Sequence, residues 1–264
     1  MPNRINQTFA VLQKKKKKAF IAFLTAGYPD LATTVKLVPA LEEAGADLVE
    51  LGIPFSDPIA DGPTIQFSSA CALEQHLTLT KIFTAVREIR QRTSIPLIFM
   101  TYYNPVFHYG LERFLQQARK AGIDGMIVPD LPVEEAGDYI VATQQHQIAT
   151  NFFCSPTTSV TRAKDISAVT TGFIYYISLA GVTGVRAQLP AGIVADVKAL
   201  KNLVQKPVCV GFGISQPSQV QALSRVADGV IVGSAIIKEI QKAKSSKQII
   251  RQVSGLVRRL SRQA

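Results

Sequence analysis

The chain has 264 residues, 47% of them hydrophobic and 18% charged, with a formal net charge of +10. That length suits one barrel of about 250 residues or two ordinary domains, and so high an apolar content excludes an intrinsically disordered chain. Ala19–Ala26 is far shorter than the roughly 18 apolar residues of a membrane span, and no small-residue cleavage site follows it, so neither a membrane nor a secretory signal is expected.

In chain order, residues 1–18 come first, with Arg4 and Lys14–Lys18 and a charge of +6; residues 238–264, read as a basic C-terminal helix, carry +7, and the body between them −3. Charge confined to the two ends reads as solvated surface, so no nucleic-acid partner is expected. Past the lysines, short β-rich apolar runs alternate with segments of helical period. A strand at Phe20–Thr25 precedes a helix at Ala32–Ala44, and a strand at Leu48–Leu51 precedes a helix at Thr80–Gln91. Strands at Pro96–Thr101, Gly125–Val128, Ala149–Phe153 and Phe173–Ile177 follow, with a helix at Leu111–Ala121 after the first of them. Strands at Pro207–Gly211 and Gly229–Val232 flank a helix at Pro217–Val226.

Eight strands alternating with helices imply a parallel sheet, and eight units in this length favour an α/β fold of one (β/α)8 TIM barrel spanning 1–264. No G-x-G-x-x-G opens the first helix, which counts against a dinucleotide-binding sheet. The "AGAD", "AGIDG" and "VADG" segments from Ala44, Ala121 and Val226 each sit just before a strand and read as glycine-capped helix ends, architecture in place of chemistry. Cys71, Cys154 and Cys209 lack metal-ligand spacing and read as reduced structural thiols; no metal is expected.

In such a barrel chemistry sits at the C-terminal ends of the strands. Leu48-Val49-Glu50-Leu51 puts a carboxylate inside an apolar run, either functional and buried or turned outward to solvent. Eleven residues on, in a loop stiffened by Pro54, Pro58 and Pro63, Asp61 stands in an Asp-Gly-Pro that suits acid/base pairing with Glu50, a plain turn, or a helix cap. Glycine clusters after the last three strands, at Gly181–Gly184, Gly211–Gly213 and Gly233-Ser234, suit backbone approach to a phosphate.

At these positions the chain resembles one family. "LVELGIPFSDPIADGPTIQ" from Leu48, "VPDLP" from Val128, "SLAGVTG" from Ser178, "GFGIS" from Gly211 and "VGSAI" from Val232 are similar to the tryptophan synthase α subunit, colinear from about Phe20 to Ile240. The resemblance implies a lyase that cleaves indole-3-glycerol phosphate to indole and glyceraldehyde 3-phosphate in tryptophan biosynthesis, with no cofactor in this chain. It implies Glu50 as general acid/base and Asp61 as partner of the indole N–H. Phe23, Met100, Tyr175, Thr183 and Phe212 match substrate contacts, with Val128 as a further apolar wall, and Gly184, Gly213, Gly233 and Ser234 match the phosphate cradle. The Gly181–Arg186 segment is expected to act as a lid. His76, His108 and His146 are not needed. The Lys14–Lys18 run and the basic C-terminus are stronger than the family pattern, and "FMTYYNPVF" departs from it at the second tyrosine and Pro105.

The resemblance also implies a partner, a β subunit holding pyridoxal phosphate in an α2β2 heterotetramer. Loops crowding the barrel mouth would meet it through Pro54, Phe55, Asp57, Asn104, Phe107, Leu131 and Pro132. A cytoplasm or a plastid stroma both suit such an enzyme.

Overall fold

Period-two alternation along the strands divides the apolar residues into two sets, and the computed structural model, which describes residues 3–177, 189–211 and 213–264, packs them as two cores. The chain runs α1 (Arg4–Lys14), β1 (Ala19–Thr25), α2 (Leu31–Glu43), β2 (Leu48–Gly52), α3 (Pro63–Glu74), α4 (Leu79–Arg90), β3 (Leu97–Met100), α5 (Tyr103–Tyr109), α6 (Leu111–Ala121) and β4 (Gly125–Ile127). It continues through α7 (Gly137–Gln145), β5 (Ala149–Asn151), β6 (Phe153–Cys154), α8 (Val160–Val169), β7 (Ile174–Tyr176) and α9 (Ile193–Leu203). The last elements are β8 (Val208–Gly211), α10 (Pro217–Ser224), β9 (Gly229–Val232), α11 (Ser234–Lys242) and α12 (Ser246–Ser261).

All strand pairs are parallel, in the order β5-β4-β3-β2-β1-β9-β8-β7-β6. β5 and β6 are successive pieces of one extended segment interrupted at Phe152. That segment pairs with β4 on one side and β7 on the other, so the sheet closes into the eight-stranded TIM barrel expected from the alternation. Asn151 seals the joint, its amide donating to Met126 O at 3.0 Å and its carbonyl accepting from Phe173 N at 2.8 Å. Ile21, Leu48, Ile98, Ile127, Phe173 and Ile231 fill the barrel, while Phe20, Leu24, Val49, Phe99 and Val230 pack beneath the helices.

α1 was not legible as a helix, because three apolar residues among polar ones are a thin signal. Its Ile5, Phe9 and Leu12 share one face and plug the N-terminal end of the barrel, Phe9 lying 5.9 Å from the Phe173 ring. The basic C-terminal segment is two helices in place of one: α11 ends at Lys242, and Ser245 opens α12 by accepting Gln248 N at 3.3 Å. The three Gly/Asp loops share a device. Gly45 and Gly122 take left-handed φ of 104° and 103° at helix ends; the third expected glycine cap is absent, since α10 ends at Arg225 and Gly229 lies in β9. In all three, the aspartate before the next strand accepts a backbone N–H from the strand before. Asp47 takes Phe20 N at 2.8 Å, Asp124 takes Leu97 N at 2.9 Å and Asp228 takes Val208 N at 2.9 Å. Among the described residues, no helix is long and apolar enough to cross a membrane.

Candidate active site

β2 carries Leu48 and Glu50 on the same side, so the alternation that buries Leu48 in the barrel turns Glu50 inward too. Glu50 sits in register with Phe23 on β1 and Ile98 on β3. Its exposure is 0%, which excludes an outward-facing side chain, and neither carboxyl oxygen meets a hydrogen-bond partner among the described residues. A bare carboxylate in that interior costs several kcal/mol, so the group escapes by holding its proton. Burial, reinforced by the nearby charge of Asp61, pushes the Glu50 carboxyl up to about 8. At neutral pH it is a proton donor inside an apolar barrel.

Asp61 closes the loop that follows β2. It does not cap α3, whose first turn begins at Pro63 after Gly62 without a side-chain cap. Instead its carboxylate accepts the Tyr102 hydroxyl at 3.1 Å, and that same hydroxyl accepts the Ala60 N–H at 3.0 Å. Gln66 holds the Asp61 carbonyl at 2.8 Å from the other side. Tyr102 therefore pins both ends of the dipeptide and aims the carboxylate into the barrel mouth. Burial raises the Asp61 carboxyl while the Tyr102 hydrogen bond opposes that rise. The two carboxyls thus sit in different settings, one dry and unpartnered, one at the rim and hydrogen-bonded. Two carboxyls in settings this different can take different parts in one acid/base reaction.

The opposite wall is built for a ligand to approach backbone. A Cβ at Gly211 would lie 2.2 Å from the Tyr175 hydroxyl, so only glycine leaves room for that phenol between β7 and β8. Gly213 takes a left-handed φ of 56°. α11 starts at Ser234 with no side-chain cap, leaving an open helix N-terminus at the cavity, the arrangement that attracts phosphate.

One cavity is lined by Asp61, Phe23, Met100, Tyr175, Gly213, Gly233 and Ser234 together with Ile65, Gly211 and Ile231. Glu50 is not among its lining residues; it pairs in register with Phe23, which is. Val128 is not a wall of it: Ile127 takes the inward position, and by strand alternation Val128 packs under the helices. Thr183, Gly184, Phe212 and the Gly181–Arg186 segment lie outside the described residues. Tyr102, Ile65 and Ile231 went unread in the sequence. The signal for Tyr102 was present, a tyrosine just past the end of a strand, but nothing in one dimension points it back at Asp61.

At the rim, Asp57, Asn104 and Phe107 are exposed, Phe107 at 68%, while Phe55 is half-buried with its ring 5.3 Å from Tyr102. Pro132 is also half-buried. Pro54 and Leu131 are buried in this chain's own packing, so they shape the rim and offer no surface. Ile59, 73% exposed, was not anticipated there. Among the described residues, no group of three or more His, Cys, Asp or Glu side chains is placed to hold a metal ion.

Residues 9–264 match the tryptophan synthase alpha chain family. A tryptophan synthase alpha chain from Geotalea daltonii is 48% identical over 254 residues, covering 96% of each chain. Tryptophan synthase subunit alpha from Legionella pneumophila str. Paris superposes with a TM-score of 0.90 at 38% identity, over 99% of this chain and 98% of that one. A Pyrococcus furiosus chain, solved in the tryptophan synthase α2β2 complex, superposes with a TM-score of 0.86 at 40% identity, over 92% of this chain and 97% of its own.

Proposed function

The chain belongs to the tryptophan synthase alpha chain family, a family of lyases that cleave indole-3-glycerol phosphate in tryptophan biosynthesis, and on that premise we propose that Glu50 and Asp61 carry the cleavage. The observation that supports this reading best is the buried, unpartnered Glu50 carboxyl, held neutral beside a second carboxylate at a cavity mouth. Glu50 delivers its proton to the ring carbon that bears the glycerol chain. Asp61 accepts the indole N–H and offsets the positive charge that the ring acquires. The bond between ring and chain then breaks, its electron pair returns to the ring, and the adjacent hydroxyl loses its proton to the Glu50 carboxylate as the aldehyde forms. Products are indole and glyceraldehyde 3-phosphate, and Glu50 ends protonated as it began. Gly213, Gly233, Ser234 and the α11 N-terminus hold the phosphate, with Gly184 added from the sequence match; Phe23, Met100, Tyr175, Thr183 and Phe212 hold the organic part. The step needs no cofactor from this chain. Release of indole from indole-3-glycerol phosphate by the purified chain tests the reading, and failure under all conditions, partner present, would refute it.

Gly233→Asp is expected to weaken glycerol-phosphate binding at least about tenfold, a loss of about 1.4 kcal/mol. The new side chain brings a negative charge against the phosphate, and its Cβ would press Phe23 at 3.3 Å. Unchanged affinity by calorimetric titration would move the phosphate elsewhere.

The rim reads as the docking surface for a β subunit that holds pyridoxal phosphate, in an α2β2 heterotetramer. Exposed Ile59 and Phe107 beside the mouth are poor solvent-facing residues. Covering them would order the loop that carries Asp61. Adding a β subunit is expected to raise cleavage at least about tenfold, the effect of a modest 1.4 kcal/mol shift toward the competent loop conformation, and Phe107→Ala is expected to blunt that rise without slowing the isolated chain. Equal rates with and without β, and no complex in sedimentation, would remove the partner.

A further inference from the structure

α1 closes the base of the barrel, opposite the mouth. There the lysine run after α1 faces the turn between α9 and β8 across a cavity of ≈ 470 Å³. Lys16, Lys17, Lys18, Lys201 and Lys206 line it, with Asp228 between them and Phe9, Leu12, Val204 and Pro207 as an apolar floor. We propose that this cavity binds a small multivalent anion of the polyphosphate class, free or carried on an organic body.

The charge balance supports an anion. Lys18, 3.7 Å from Asp228, and Lys201, hydrogen-bonded to it, share that carboxylate. α1 and α9 both end at the cavity, and each helix C-terminus contributes about −0.5. Set against five lysines, Asp228 and the two helix ends leave an excess of about +3. Neutralising helix ends therefore does not account for the run. Among the described residues, Lys16, Lys17 and Lys206 form no ion pair within 4.0 Å, although Lys17 lies near enough to Asp47 to oppose the rise that burial gives its carboxyl.

The backbone adds a second observation. α1 closes with Lys17 N on Leu12 O at 2.9 Å and Lys16 N on Gln13 O at 3.0 Å, a turn whose left-handed residue is usually glycine. Here it is Lys16, at φ 54°, a conformation that a side chain adopts at a cost. The size is that of a small-molecule site, where about 300–1,000 Å³ is usual. The concave shape, walled by α1 and α9, suits a compact ligand better than a nucleic-acid duplex, and an excess near +3 suits a triphosphate better than a single phosphate or carboxylate.

The test titrates the full chain with inorganic tripolyphosphate and with a nucleoside triphosphate, each in saturating glycerol phosphate so that the mouth is occupied. Saturable one-to-one binding that weakens with salt is expected for at least one of them; whichever binds tighter identifies the free or the carried polyphosphate. Lys16→Ala with Lys17→Ala and Lys206→Ala should weaken it at least tenfold, a loss of about 1.4 kcal/mol or more. Lys242→Ala with Lys244→Ala and Lys247→Ala, which removes equal charge from the α11–α12 junction, should change it less than twofold. No saturation, equal losses in the two triple variants, or binding of duplex DNA with neither small anion bound would each overturn the proposal. None of these results bears on the cleavage reaction.

Discussion

Glu50→Gln is expected to lower indole-3-glycerol phosphate cleavage by ~10²–10⁴, the usual worth of general acid/base help, while leaving the barrel folded. The amide matches the carboxyl in shape but has no proton to deliver to carbon. Because the Glu50 carboxyl is pushed up to about 8, wild-type kcat/KM should also fall as pH rises through that value and the acid form is lost. Stability moves in the same direction. Below the ordinary value of 4.5, folded and unfolded chains both hold the proton. Between there and about 8 the unfolded chain releases it and the folded chain keeps it, so the wild type loses stability over that window, at most about 1.4 kcal/mol per pH unit. Glutamine does not titrate. The melting temperature of Glu50→Gln should therefore gain on the wild type as pH rises from 5 to 8, the mark of a site that trades stability for function. Cleavage within tenfold of wild type would take Glu50 out of the mechanism; a gap in melting temperature that stays constant with pH would show that the carboxyl is not held neutral.

Asp61→Asn is expected to cost ~10²–10³ in turnover, the scale seen when one preorganised electrostatic partner of a transition state is removed. The amide can still meet the indole N–H but cannot offset the ring's positive charge. Glycerol-phosphate affinity should be unchanged, because the phosphate is assigned to Gly213, Gly233, Ser234 and the α11 N-terminus and not to the Asp61 carboxylate. The substitution also removes the charge that helps raise Glu50, so the alkaline limb of the residual pH profile should shift downward. Loss of substrate affinity with turnover intact would make Asp61 a binding residue alone; an unmoved alkaline limb would show that the two carboxyls do not sense each other.

Much of the architecture was legible because it rests on local periodicity. Strand positions were visible as apolar runs, and each lies within a residue or two of its expected bounds. The Gly/Asp loops were visible as architecture, although only the structure shows each aspartate holding a backbone N–H of the strand before. The rim was half legible: proline and apolar loop residues mark a crowded mouth, but Pro54 and Leu131 prove to be packed inward where Phe107 and Ile59 are not. Loop sequence does not say which of two neighbouring apolar side chains turns in.

The sequence by itself determined that the fold is a parallel barrel, that one carboxylate lies inside a strand, and that glycines stand at the ends of the last strands. Each of these is a property of residues close in the chain. The tertiary structure alone decided what meets what. It turned Glu50 into a dry interior where its proton is retained, set the Tyr102 hydroxyl between Asp61 and Ala60, and reserved Gly211 for the Tyr175 ring. It also made the Asn3-capped N-terminal helix a plug for the barrel and brought the lysines that follow it to face Lys201 and Lys206. A carboxyl's proton affinity depends on how much water and which charges surround it in space, and a cavity on residues nearly two hundred positions apart. Neither is written in the spacing of any one segment.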